Sequence, residues 1–193
     1  MDPAGSPVPQ RPIAILAYGS LLHSPGPGLA PLITGSRPCE TPFPVEYGRA
    51  SSRWGGGPVL VPHPDGAPVR GALLLLDPRV DLGTAVDVLA EREGLPSARG
   101  VMQVEMPGDL LVLCAALPRN LPRPDLAPDA LARRAVRSAG AGARNGVAYL
   151  RAAVAAGIRT PRTDAYAERV LSRTGARSLE EAERLVALGH RNS

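Results

Sequence analysis

The stretch DLGTAVDVLAEREGLP, residues 81–96, decides the fold class, because it reads as one amphipathic helix lying between strand-forming segments. Leu82, Ala85, Val86, Leu89 and Ala90 recur at helical spacing, which gathers them on one face. Gly94 then supplies the left-handed residue that ends a helix without steric cost, and Pro96 prevents the helix from resuming. On the upstream side, Val69–Leu76 is a nearly continuous apolar run, and His63-Pro64-Asp65-Gly66 before it has turn chemistry. That arrangement predicts a hairpin joining Val59-Leu60-Val61 to Val69–Leu76. Downstream, Val101–Met106 and Leu110–Leu117 flank Pro107-Gly108-Asp109 and predict a second hairpin.

Farther out, Ile13–Ala17 is a short apolar run that stops at Tyr18-Gly19-Ser20, as a buried first strand followed by a tight loop would. Phe43–Ala50 and Pro58–Val61 are expected strands separated by Gly55-Gly56-Gly57. Eighteen of the 22 prolines precede Arg119, whereas Pro161 alone falls between Asp129 and Ser193. Turns and strands therefore belong to the first part and helices to the last, at about 129–139, 144–156, 164–174 and 178–188. Ser178 ahead of Leu179-Glu180-Glu181 has the form of a capping box. The expected fold is α+β: a mainly antiparallel sheet closed into a small barrel, one helix inserted between hairpins, and a helical C-terminal third. Residues 1–12 form a Pro-rich tail, residues 13–193 a single domain, and Arg119–Pro128 a connector inside it.

Composition narrows the function. Aromatic residues make up 3% of the chain, with one Phe and one Trp, which disfavours a nucleic-acid reader built on base stacking. All 22 basic residues are Arg, and the net charge of +4 comes from the last part of the chain, where Arg is mixed with Asp and Glu. A mixed pattern of that kind marks solvated helix surfaces. Cys39 and Cys114 form no CxxC pattern, and His23, His63 and His190 have no metal-ligand spacing, so no disulfide, metal site or cofactor is expected. Met1–Pro12 lacks the features of a signal peptide, and the longest apolar run, Ala72–Leu76, is too short for a bilayer. A cytoplasmic protein with no membrane or nucleic-acid partner is the expectation.

Two places could carry chemistry. In Ala17-Tyr18-Gly19-Ser20-Leu21-Leu22, a glycine in a tight loop after a strand can leave backbone N–H groups free for an anion or a developing oxyanion. Glu93 stands at the C-terminal end of the 81–93 helix, where the helix dipole disfavours a carboxylate, as suits a group that must also carry a proton. Read singly, each is an ordinary structural feature: a strand-to-turn Gly-Ser pair, and a solvated Glu in Glu91-Arg92-Glu93. Other patterns weigh less. Ser20 with His23 lacks a G-x-S-x-G elbow, and Gly140 to Gly146 has the wrong glycine spacing for a dinucleotide site. Arg49, Arg53 and Arg70 could meet a substrate carboxylate, and Tyr149 and Tyr166 read as helix-packing residues.

Taken in order, the chain resembles the γ-glutamylcyclotransferase family. The resemblance is carried by Tyr18-Gly19-Ser20-Leu21, Val45-Glu46-Tyr47-Gly48, Trp54-Gly55-Gly56-Gly57-Pro58, Pro64-Asp65-Gly66, Val69-Arg70-Gly71 and Leu89-Ala90-Glu91-Arg92-Glu93-Gly94. It spans residues 13 to 117, with a looser match at Asn145-Gly146-Val147-Ala148-Tyr149. What it implies is an enzyme that releases 5-oxoproline from a small γ-glutamyl amide, with Tyr18, Gly19, Ser20, Leu21 and Leu22 holding the γ-glutamyl group and Glu93 as acid/base. The competing expectation is a non-catalytic adaptor of the same fold that offers its basic helical tail to an acidic partner.

Overall fold

A computed structural model describes residues 11–115, 125–138 and 144–189. Most of the tail expected over residues 1–12 lies outside these, as do Ala116 and Leu117 of the last expected strand, residues 119–124 of the connector, Gly140 to Gly142, and His190.

The described chain runs β1 (Ile13–Ala17), β2 (Ile33–Glu40), β3 (Val45–Ser51), β4 (Gly57–Pro62), β5 (Arg70–Leu76), α1 (Leu82–Glu93), β6 (Val101–Val104), β7 (Leu111–Ala115), α2 (Pro128–Arg137), α3 (Gly146–Ala155), α4 (Thr163–Thr174) and α5 (Leu179–Gly189). It is an α+β protein, with a five-stranded sheet ordered β2-β5-β1-β7-β6 and a separate β3–β4 pair. Four ladders are antiparallel, and β1 with β7 is parallel.

Strand alternation explains how β1 is buried on both sides. Ile13, Ile15 and Ala17 join Leu74, Leu76, Leu113 and the α1 residues Ala85 and Leu89 in one cluster. Ala14 and Leu16 point the other way, toward Leu73, Val112 and Cys114. A third cluster seats the helical C-terminal third on β3 and β4, packing Tyr47, Val59 and Val61 against Leu131, Leu150 and Tyr166. Within it Tyr47 and Tyr166 meet edge to face at 5.0 Å. The fully buried Glu46 fastens β3 to the start of α4. Its carboxylate accepts from the Thr160 hydroxyl at 2.7 Å, the Tyr47 N–H at 2.9 Å and Arg162 Nη1 at 3.2 Å, the combination a buried carboxylate requires.

Two expectations change. The turn at His63–Gly66 does not make a β4–β5 hairpin, because β4 pairs with β3, and β5 runs between β1 and β2. Val45 decides this by donating its N–H to Ala67 O at 2.8 Å, so the chain leaving the turn crosses the end of β3 and passes into the larger sheet. Secondly, β2 was not expected, since an outer strand exposed at Thr34, Ser36, Arg37 and Pro38 gives no apolar alternation. The ladders among the described residues form two sheets. β2 and β6 remain the outer strands, and the segments leading into the β3–β4 pair and into β5 are joined by Thr41 N–H to Val69 O, Val69 N–H to the Thr41 hydroxyl and the Val45–Ala67 bridge.

Candidate active site

Where β1 ends, Tyr18 is still extended and Gly19 turns to φ 60°, opening a short 3-10 turn over Gly19–Leu22. Gly19 is required for two reasons. Its φ is left-handed, and a Cβ there would lie 2.6 Å from the Tyr149 hydroxyl oxygen. The His23 and Ser24 N–H groups both bond to Ser20 O, at 3.3 and 3.0 Å. Leu21 is buried, and Leu22 packs half-buried against two core clusters, so the apolar side of the turn anchors it.

α1 brings up the opposite wall. Asp81 caps its start by accepting from Thr84 N–H at 3.0 Å. Gly94 ends it at φ 65°, with Leu95 N–H returning to Ala90 O at 2.9 Å, the Schellman type of closure. Glu93 is therefore the last helical residue, its side chain 24% exposed. Next to it, Arg92 is 8% exposed and joins helix to loop. Its guanidinium donates to Glu93 Oε1 at 2.6 Å, Ser20 Oγ at 3.3 Å and Ser24 O at 2.7 Å.

Loop and helix end face a cavity of about 420 Å³. Tyr18, Ser20, Leu21 and Glu93 line it. Gly19 and Leu22 do not: the first forms the turn behind the lining side chains, the second supports it from the core side. The remaining wall includes Arg49 on β3, Arg53 and Trp54 in the turn after it, Val59–Val61 on β4, Arg92 on α1, Cys114 on β7 and Tyr149 on α3. Trp54 meets Tyr149 edge to face at 5.1 Å, and the Tyr149 oxygen accepts from Leu60 N–H at 3.2 Å.

Burial sets the protonation of three of these groups. It pushes the Tyr18 phenol well above its ordinary value, with smaller contributions from Cys114, Tyr149 and Glu93. Tyr149 is pushed up to about 12, chiefly by burial, and so is the Cys114 thiol, with the charge of Glu93 adding to it. At neutral pH both phenols are therefore hydrogen-bond donors, and Cys114 is a thiol rather than a nucleophilic thiolate. Among the lining residues Glu93 is the one carboxylate, and three are arginines.

The other sequence candidates separate. Ser20 Oγ is engaged by Arg92, while His23 is exposed. Arg49 and Arg53 line the cavity, but Arg70 lies beside Gly157. Tyr166 is a core residue, whereas Tyr149 belongs to the cavity as well as to the core. Sequence reading missed Arg92 as the link between loop and helix; the only trace of it was an arginine directly beside Glu93. Cys114 gave no signal at all, since it alternates into the site from a strand. Among the described residues no group of three or more His, Cys, Asp or Glu is placed to hold a metal ion, and no helix is long and apolar enough to cross a membrane. In comparison with known proteins, no protein-family model matches the chain, and no curated protein does.

Proposed function

We propose that the protein is a γ-glutamylcyclotransferase, an enzyme that cleaves a γ-glutamyl amide and releases 5-oxoproline and a free amine. The observation that carries this reading is the meeting of Glu93 with the Tyr18–Leu22 turn across one cavity, with Arg92 bonded to both. The reading includes the family's small barrel, taking the two sheets as its walls joined at Thr41–Val69 and Val45–Ala67. It also includes a cytoplasmic setting, with no cofactor and no nucleic-acid or membrane partner.

The chemistry asks little of the protein beyond orientation and proton transfer. The substrate's own α-amine attacks its γ-carbonyl carbon, forming the lactam C–N bond, and the amide C–N bond then breaks. Effective molarities of ~10⁵–10⁸ M are attainable for a well-oriented intramolecular attack, which removes about 7–11 kcal/mol from the barrier. A free α-amine has a pKa of ~7.7–8.0 and is mostly ammonium at neutral pH, so a base must first take a proton. Glu93 takes it and later returns one to the leaving nitrogen. Arg92 holds the carboxylate in one orientation through a charge-assisted bond. The turn at Gly19–Leu22 supplies N–H groups for the γ-carbonyl oxyanion, and the phenols of Tyr18 and Tyr149 add neutral donors nearby.

The test is incubation of the full chain with a panel of γ-glutamyl amides whose leaving amines differ, followed by quantification of 5-oxoproline. At least one member is expected to yield it catalytically, and loss of the signal in Glu93→Gln ties it to this cavity. A panel that yields no 5-oxoproline, or a yield equal in Glu93→Gln, refutes the reading.

A further inference from the structure

Arg49 stands apart from the other cations of the cavity. Arg92 is fully engaged by Glu93, Ser20 and Ser24, and Arg53 donates to Arg92 O at 3.4 Å. Arg49 has a buried Nε with no hydrogen-bond partner among the described residues. An unsatisfied buried donor is destabilising, and one on a cation more so. Tyr47 and Tyr166 also carry buried oxygens without a partner, but those lie in the packed core, whereas Arg49 lines a cavity in which a ligand can supply the partner.

The backbone delivers it there by an irregularity. On β3, Glu46 opposes Val61 and Arg49 opposes Val59, so three steps along β3 match two along β4. The extra residue is a β-bulge. Without it, residues 46 and 49 would point to opposite faces; with it, Arg49 shares the face of Val59 and Val61, which line the cavity beside it. Gly48 sits inside the bulge, where a Cβ would come within 2.9 Å of both Val61 and His63. Position and packing together bring a guanidinium into a cavity whose charge is otherwise set by Arg92, Arg53 and the carboxylate of Glu93.

We infer that Arg49 is the anchor for a ligand carboxylate in this cavity, and hence that the site takes molecules bearing a free carboxylate on the ring or chain that occupies it. The identification of that group with the α-carboxylate of a γ-glutamyl unit rests on the proposed function; the carboxylate site itself does not. In that setting Arg49 is a specificity-determining residue. It holds the α-carboxylate on the β3 side, leaving the α-amine toward Glu93, and a γ-glutamyl unit whose α-carboxyl is an amide is a poor ligand.

Calorimetric titration of three probes into the full chain tests this: 5-oxoproline, its uncharged amide 5-oxoprolinamide, and cyclopentanecarboxylate, which keeps the ring and the charge but has no lactam. A hydrogen-bonded charge pair of this kind corresponds to about 10- to 100-fold in affinity. 5-Oxoproline is expected to bind tighter than its amide by that factor. Arg49→Gln should erase the difference, and Arg49→Lys, which keeps the charge but not the planar fork, should restore part of it. The comparison of probes in the unsubstituted protein needs no variant, and thermal melting of both variants checks that they fold. Equal binding of acid and amide, or a preference that survives in Arg49→Gln, overturns the inference, and the second outcome leaves the proposed reaction standing. Arg49-dependent binding of cyclopentanecarboxylate by a protein that makes no 5-oxoproline upholds the carboxylate site and overturns the reaction. Binding of none of the three overturns the carboxylate site, and 5-oxoproline formation by the same protein then shows that the reaction stands without it.

Discussion

Replacing Glu93 by Gln separates its part in chemistry from its part in structure. In the fold it is the last residue of α1, 24% exposed and bonded to Arg92 at 2.6 Å. Gln keeps the length, a similar helix propensity and a carbonyl oxygen that can still accept from Arg92. What disappears is the charge assistance of one partly exposed bond, about 1–2 kcal/mol, which corresponds to a melting shift of about 2–8 °C for a domain of this size. The catalytic cost is of another order. Gln cannot take the ammonium proton, and loss of general acid/base function costs about 10²–10⁴-fold, roughly 3–5 kcal/mol in the barrier. Glu91→Gln is the control. It is exposed and two positions away, so it should change kcat by less than a factor of about two. The assay is kcat for 5-oxoproline formation alongside thermal melting for both variants. If Glu93→Gln melts normally and keeps more than about a tenth of the kcat, Glu93 is not the acid/base.

Other consequences follow from the same contacts. Arg92→Gln should lose about 2–4 kcal/mol of stability, because it unties Ser20, Ser24 and Glu93 at once and leaves Glu93 without its cation; denaturant unfolding together with kcat measures it, and a variant of normal stability and normal kcat refutes the tie. Gly19→Ala should cost about 1–2 kcal/mol for the left-handed backbone alone, with an added clash against the Tyr149 hydroxyl; part of that loss should return in the double variant with Tyr149→Phe, and strict additivity in melting would refute the contact. The contribution of Cys114 and Tyr149 to stability should be constant below about pH 9 and be lost between about 9 and 12, because Cys114 (ordinary value 9.0) and Tyr149 (10.0) both ionise later in the folded chain, at about 12, than in the unfolded one. Cys114→Ala should remove the earlier part of that loss in pH-dependent unfolding, and an unchanged profile would refute the burial argument.

Local signals carried much of the fold. The apolar period of α1, the glycine at its end, and the short run of β1 before Tyr18-Gly19 stand where the sequence predicts them, since helix capping and a fully buried strand are written into a few adjacent residues. Ser178 caps α5 as expected, accepting from Glu181 N–H at 3.2 Å, while the Glu181 carboxylate reaches back one residue farther, to Arg177 N–H at 2.8 Å. Pairing was harder. Nothing near His63–Gly66 says that the chain leaving the turn will bond to Val45 and join another sheet, because that choice depends on residues about 20 positions away. β2 is an exposed outer strand interrupted by Pro38, and so it lacks the alternation by which strands are recognised. In the candidate site, Tyr18, Ser20, Leu21 and Glu93 were legible as motif residues. Arg49 stands with Arg53 and Arg70 in the sequence as a candidate carboxylate contact, and only the one-residue bulge distinguishes it from Arg70; Arg92 owes its part to its reach from a helix end to a loop about 70 residues earlier.

The central claim is that the α-amine of the substrate, and not water, attacks the γ-carbonyl carbon. Turnover of a γ-glutamyl amide in water enriched in oxygen-18, followed by mass spectrometry of the acyl product, tests it most directly. 5-Oxoproline free of the heavy isotope, and no turnover of the N-acetylated substrate, are the expected results. Glutamate carrying one oxygen-18, or cleavage of the acetylated analogue, would contradict it.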